Sequence, residues 1–163
     1  MNTKQFVTFK LGQAMFGVDI LLVKEINRRL AITPVFDVAD FVVGTANLRG
    51  QVITILDPAV RLGLRNGRAF AEGRVLVLKT EPELTRLHRN GDLDDHSVND
   101  KVGLMVDSIG DVLESGRDEI HPVPANLEQT AAGFAAGVVP TGEDLVVILR
   151  LERLLALETV AEY

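Results

Sequence analysis

Phe41-Val42-Val43-Gly44 with the later run Val52-Ile53-Thr54-Ile55-Leu56 recurs as Phe134-Ala135-Ala136-Gly137 with Leu145-Val146-Val147-Ile148-Leu149, and the two blocks align without a gap. Three further signals repeat in the same order. An apolar or alternating run ends in lysine at Phe6-Val7-Thr8-Phe9-Lys10 and again at Val75-Leu76-Val77-Leu78-Lys79. A glycine precedes a Val-Asp pair in Gly17-Val18-Asp19 and in Gly103-Leu104-Met105-Val106-Asp107. Ile32-Thr33-Pro34-Val35 is matched by Ile120-His121-Pro122-Val123. One such coincidence carries little weight; four in order indicate a duplicated pattern, which sets the architecture before any motif is read.

The repeated segments are short Val/Ile-rich runs bounded by Gly, Pro, Asn or Asp, which is the punctuation of strands and turns. The fold expected is mainly β: two small five-stranded barrels packed together, each half of the chain supplying about five strands around its own core. Closed barrels hide the edges that an open sheet would expose. The first barrel is placed at residues 1–66 and the second at 67–163, joined through Gly63 to Gly73. That boundary is soft, with strands open to exchange between barrels. Helix is sparse. Asp57 as N-cap, Pro58 at the first helical position and Gly63 as a stop predict a short helix near 57–63. Leu151, Leu154, Leu155 and Leu157 form the inward stripe of a final helix, with Glu152 and Glu158 facing water, and a helical turn is expected near Val38 to Val42. The halves differ in one place: the second carries an extra polar segment, Leu84 to Asp100, which reads as an enlarged, mobile hairpin loop.

Composition narrows the function. The chain has 163 residues, 47% hydrophobic and 25% charged, enough for a real core and unlike disordered or fibrous sequences. It contains no cysteine, three histidines, one tyrosine and no tryptophan, which removes disulfides, thiolate metal sites and cysteine nucleophiles. The net charge of -6 lacks the basic footprint of a nucleic-acid binder. No apolar run approaches the roughly 20 residues of a membrane helix, and Met1-Asn2-Thr3-Lys4-Gln5 leads into Phe6 without a signal-peptide core, so a cytoplasmic protein is expected.

Reactive constellations are scarce. His88, Asp92, Asp94, Asp95 and His96 offer metal-binding groups, but their spacing fits neither a calcium loop nor a paired-histidine helix, so a solvated acidic loop is expected. His121 reads as an exposed strand-end residue. Ser97, Ser108 and Ser115 lie outside any nucleophile elbow, and no glycine-rich phosphate signature is present. Neither catalysis, a metal nor a cofactor is expected.

Asn47-Leu48-Arg49-Gly50 is the sharper feature, a polar break between two apolar runs where a hairpin turn is needed. Two readings stay open. Asn47 and Gly50 supply turn geometry with Arg49 merely solvated, or Arg49 is a presented group at a partner surface, where arginine is enriched. Val23-Lys24-Glu25-Ile26 reads either as a half-buried strand with a charged outer face or as the source of an acidic partner, Glu25, for Arg49.

With Phe-Gly-Val-Asp-Ile at 16–20, Val-x-Glu-Ile at 23–26, Pro34, Phe-x-x-Gly at 41–44, Asn-Leu-Arg-Gly at 47–50, Val-Gly-Leu-Met-Val-Asp at 102–107, Val112-Leu113 and Ile120-x-Pro122, the sequence resembles the CheW family, adaptors of bacterial chemotaxis. The resemblance spans nearly the whole chain as a single domain, 1–163. It implies two packed barrels of Src-homology-like topology, no catalysis, and a scaffold that joins the cytoplasmic tips of chemoreceptors to the histidine kinase CheA through its regulatory domain, in membrane-associated arrays. It also implies a Glu25–Arg49 salt bridge that shapes the first barrel. Val23, Ile26 and the turn Asn47, Leu48, Arg49, Gly50 would lie near a receptor groove between the barrels, and Gly44 with neighbouring strand ends would face the kinase. Two departures stand out: Asp57-Pro58-Ala59-Val60-Arg61 where the family commonly has Asp-Leu-Arg, and the long 84–100 segment. An alternative is therefore a regulatory module of a non-flagellar chemosensory pathway that competes with or replaces the usual adaptor. A hydrolase built on the acidic loop is the rival from another class.

Overall fold

The computed structural model describes residues 3–64, 72–125, 133–142 and 144–156. Alternating apolar runs become strands where they were expected: β1 (Thr3–Leu11), β2 (Ala14–Asp19), β3 (Val23–Ala31), β4 (Thr33–Pro34), β5 (Val42–Leu48), β6 (Gln51–Leu56), β7 (Glu72–Leu78), β8 (Val102–Val106), β9 (Ser108–Gly116), β10 (Ala135–Thr141) and β11 (Asp144–Leu149). Among the described residues, three short α-helices accompany them, α1 (Pro58–Arg61), α2 (Thr85–Arg89) and α3 (Leu151–Leu154), with 3-10 turns at Ile20–Leu22, Glu81–Leu84 and Arg117–Glu119.

Neither sheet is built from one half of the sequence. One has the order β10-β11-β2-β1-β9 and the other β3-β7-β8-β6-β5-β4. Each half thus gives its opening hairpin pair to one sheet and its remaining strands to the other. The crossing point in the first half is the 3-10 turn Ile20–Leu22, capped by Asp19, whose carboxylate accepts the Leu21 amide at 3.0 Å. Position 66/67, the division expected from the sequence, lies outside the described residues, and the sheets are not partitioned there.

The duplicated motifs meet at the seam where each sheet curls back on itself. β3 pairs with β7, and β4, one residue further on, pairs with β5 (Thr33 opposite Thr45, Pro34 opposite Gly44). In the other sheet β9 pairs with β1, and His121, just beyond it, bridges antiparallel to Val138 of β10. Ile-x-Pro-Val thus pairs with Phe-x-x-Gly at one edge of each sheet, the proline ending the ladder because it has no N–H to donate. The glycine lets the closing strand approach: a Cβ on Gly44 would lie 2.1 Å from the Thr33 carbonyl oxygen, and one on Gly137 2.7 Å from that of His121. A second repeated pair sits at the parallel contacts, Gly17 opposite Ile148 and Gly103 opposite Ile55.

Period-2 alternation splits every central strand between two cores. Val75, Val77, Ile53, Ile55 and Met105 fill one ring, and Phe6, Val139, Val146 and Ile148 fill the other. The alternate residues, Phe9, Phe16, Leu76, Leu104, Val147 and Leu149 among them, join a third and larger cluster with α1 and α3. The main core is thus the interface between the sheets, and the expectation of one private core per half is corrected. The strands read as continuous apolar runs because both of their faces are covered.

α1 forms as expected, Asp57 accepting the Ala59 amide at 3.0 Å and Gly63 adopting φ +76° beyond its end. In α3 Leu151, Leu154 and the following Leu155 are buried and Glu152 is exposed, while Leu157 and Glu158 lie outside the described residues. At Val38 to Val42 the chain makes a bend followed by a single turn, closed by the Val42 amide donating to the Ala39 carbonyl at 3.0 Å, after Asp37 at φ +60°.

The 84–100 segment departs further from expectation. It is packed, with Leu84 and Leu93 buried in the main core. Thr80 and Glu83 make a capping box that starts the 3-10 turn, and α2 follows. Asp95, 5% exposed, accepts the amides of Leu151 (2.7 Å) and Glu152 (3.0 Å) and so caps α3 from 56 residues away.

Candidate functional site

The Asn47–Gly50 turn is a tight hairpin between β5 and β6, with Leu48 opposite Gln51. Arg49 (φ 52°) and Gly50 (φ 83°) both take left-handed geometry, the mirror-image turn that matches the twist of a β-hairpin. Glycine does this freely, whereas arginine does not. Asn47 braces the turn by accepting the Gly50 amide on its side-chain oxygen at 2.8 Å. The turn holds Arg49 over β3, where its guanidinium meets Glu25 with both arms, Nη1 at 3.3 Å from Oε1 and Nη2 against Oε2. The hydrogen bond to Glu25, then its charge, raises the Arg49 pKa above the usual value. Asn47 and Gly50 shape the turn, and Arg49, its side chain 68% exposed, is held by that turn against Glu25.

Glu25 reaches that position because β3 is irregular. Val23 faces Leu78 and Glu25 faces Val77, so Lys24 is an extra residue in the ladder, a bulge that re-aims its neighbours. Lys24 turns to Glu83 at 2.9 Å. Glu83 is pushed down to about 2 by the Thr80 amide first and by Lys24 next. The two ion pairs wall a groove floored by Ile53, Val77 and Leu78. Lys101, Gln51 and Leu48 complete its lining, so charged groups of both signs surround an apolar floor.

The remaining site residues fall around this groove unevenly. Val23 is half-buried and packs on the main core between the sheets, which puts the groove beside that seam. Ile26, 39% exposed, stands opposite Leu76 on the outer side of β3. Leu48 is half-buried against the core of its own ring. Gly44 is not part of the cluster: it is buried beneath β4, about 17 Å along β5 from Arg49 at the rise of an extended strand. Its role in the structure is close backbone approach.

Two groups escaped sequence reasoning. Arg61, noted there only as part of a departure from the family pattern, lies 5.1 Å from the ring centroids of both Phe41 and Phe134. It also donates to the carbonyls of Leu154 (3.2 Å) and Ala156 (3.3 Å), tying both copies of Phe-x-x-Gly to the last helix. The second is Glu81. The polar residues considered together in the sequence do not assemble as a set, since Asp92 and Asp94 are exposed and Asp95 caps α3. Glu81 instead joins His88 and His96, one ligand atom from each lying within 4.8 Å of the others. The capping box at Thr80 to Glu83 was the available signal for order in this segment.

The chain is similar to known proteins in both sequence and fold. The chemotaxis protein CheW of Klebsiella aerogenes is 28% identical over 158 residues, covering 97% of this chain and 85% of that protein. The chemotaxis protein CheW of Treponema pallidum is 27% identical over 161 residues, covering 94% and 84%. In fold, the chain is similar to the crystal structure of the scaffolding protein TtCheW from Thermoanaerobacter tengcongensis, with a TM-score of 0.71 at 24% identity over 93% of this chain and 91% of that one. The family model described as CheW-like domain matches residues 5–159, and the chain belongs to this family of non-catalytic adaptors.

Proposed function

We propose that this protein is a chemotaxis scaffold that couples the cytoplasmic tips of chemoreceptors to the regulatory domain of the histidine kinase CheA within a membrane-associated array. The observation that carries the reading is the Glu25–Arg49 pair on a braced hairpin beside the seam between two interlocked sheets. A rigid arginine displayed next to an apolar-floored groove is the kind of anchor that protein interfaces use. The relatives' names, chemotaxis protein and scaffolding protein, support a scaffold in that setting, and the two sheets offer two separate surfaces, so that one molecule is gripped by two partners and weak contacts gain strength by linkage. Signal passes as a population shift in the kinase, with no bond made or broken in the scaffold.

The test is a co-sedimentation of the chain with the kinase regulatory domain and with a receptor tip fragment, singly and together. Binding of each, and a ternary complex, is the expected outcome. Binding to neither overturns the proposal, and binding to the kinase domain alone replaces coupling with a competing regulatory role.

A further inference from the structure

We propose that Glu81, His88 and His96 form a zinc site on the segment that is enlarged in the second half of the chain. Two imidazoles and one carboxylate are a recurrent donor set for this ion, leaving the fourth tetrahedral position to water. The three residues come from different local structures: Glu81 opens the 3-10 turn, His88 lies on α2, and His96 is in the loop beyond it. The fold gathers them, the two rings standing 4.4 Å apart between centroids.

The hydrogen bonds set the tautomers. His88 Nε2 faces the backbone carbonyl of Asp95 at 2.8 Å, and because a carbonyl only accepts, Nε2 carries a proton, so Nδ1 is the ring nitrogen open to a metal ion. A ring N–H held by a backbone carbonyl is the usual outer support of a metal-ligating histidine. His96 Nδ1 lies 2.7 Å from Glu81 Oε2, so without metal a proton bridges them. Two ligands on tetrahedral zinc at about 2.0–2.1 Å stand about 3.3 Å apart, so the pair needs to open by about 0.6 Å as the ion replaces that proton. Glu81 Oε1 is already positioned by the Ser97 amide at 2.9 Å. The hydroxyl of Ser97, whose amide holds Glu81, is itself buried without a hydrogen-bond partner among the described residues.

Bound zinc would tie the 3-10 turn, α2 and the loop carrying Asp95 into one unit. That unit caps α3 through Asp95 and supports the groove through Glu83 and Lys24. The ion is therefore assigned a stabilising role, distinct from partner binding.

The experiment is a titration of the untagged full chain with zinc chloride, followed by calorimetry and by nitrogen-15 NMR of the histidine rings. The chain has three histidines, and His121, on the other sheet, is the internal control. One equivalent of zinc with a micromolar or tighter dissociation constant, ring signals of His88 and His96 shifting with His121 unmoved, and no response to magnesium are expected. His88→Gln and His96→Gln should each weaken binding at least tenfold. Unshifted His88 and His96 rings, or variants that bind like the parent, overturn the proposal. The NMR arm decides even if a variant does not fold.

Discussion

At the scale of single residues, Arg49 combines a backbone role with a side-chain role that one substitution separates. Asparagine tolerates left-handed backbone far better than most residues, so Arg49→Asn keeps the hairpin and removes only the guanidinium. The melting temperature should move by no more than about 3 °C, while affinity for the kinase domain or the receptor tip falls at least tenfold; unchanged affinity for both would show that the arginine serves the turn alone. Glu83 makes a different prediction. Its folded pKa of about 2 lies below the ordinary 4.5. A depressed carboxylate adds stability that is complete above the unfolded value and is lost as pH falls from about 4.5 toward 2. Thermal melts between pH 6 and pH 2 (a range of about four units, spanning both values) should therefore show a steeper acid decline for the parent chain than for Glu83→Gln. Parallel curves would count against the cap and the Lys24 pair as the cause.

At the scale of elements, the closing corners explain the duplication. Ile-x-Pro-Val and Phe-x-x-Gly look like separate signals in the sequence, yet each sheet brings its copies together, with Pro34 opposite Gly44 and His121 bridging to Val138. The three atoms nearest to a Cβ at Gly44 all belong to the backbone of Thr33 and Pro34, which has no rotamer to give way. At Gly137 the nearest atom is the Cγ2 of Ile120 at 2.6 Å, a side chain with some freedom, with the His121 carbonyl oxygen next. Gly44→Ala should thus cost about 3 kcal/mol or more and Gly137→Ala about 1–3 kcal/mol in denaturant unfolding. Equal, negligible effects would mean that the corners relax easily. The strands, α1 and the Asn47–Gly50 turn were legible because each is governed by local rules of alternation, capping and turn chemistry. The packed 84–100 segment was not, because its order comes from Leu84 and Leu93 reaching the main core and from Asp95 capping a helix distant in sequence. Polar composition alone made it look like a free loop.

At the scale of the whole molecule, exchange of strands makes the two sheets interdependent. β1 and β2 have their neighbours β9 and β11 in the second half, and β7 and β8 have theirs, β3 and β6, in the first. A fragment ending at residue 64 or beginning at 72 leaves an unpaired hairpin and opens the main core. Separate fragments should be unfolded by circular dichroism and regain β structure only on mixing, and the intact chain should unfold in one transition with both sheets losing amide protection together; a stable isolated half or two resolved transitions would contradict this. The sequence by itself determined the duplication, the β class, the helices α1 and α3 and the hairpin that displays Arg49, since all of these follow from period, turn and cap chemistry within a few residues. Only the tertiary structure decided which strands pair, that the largest core lies between the sheets, and that Glu25 reaches Arg49 across a bulge while Glu81, His88 and His96 converge. Pairing partners and the second buried face of each strand are set by long-range packing, and no local pattern along the chain encodes them.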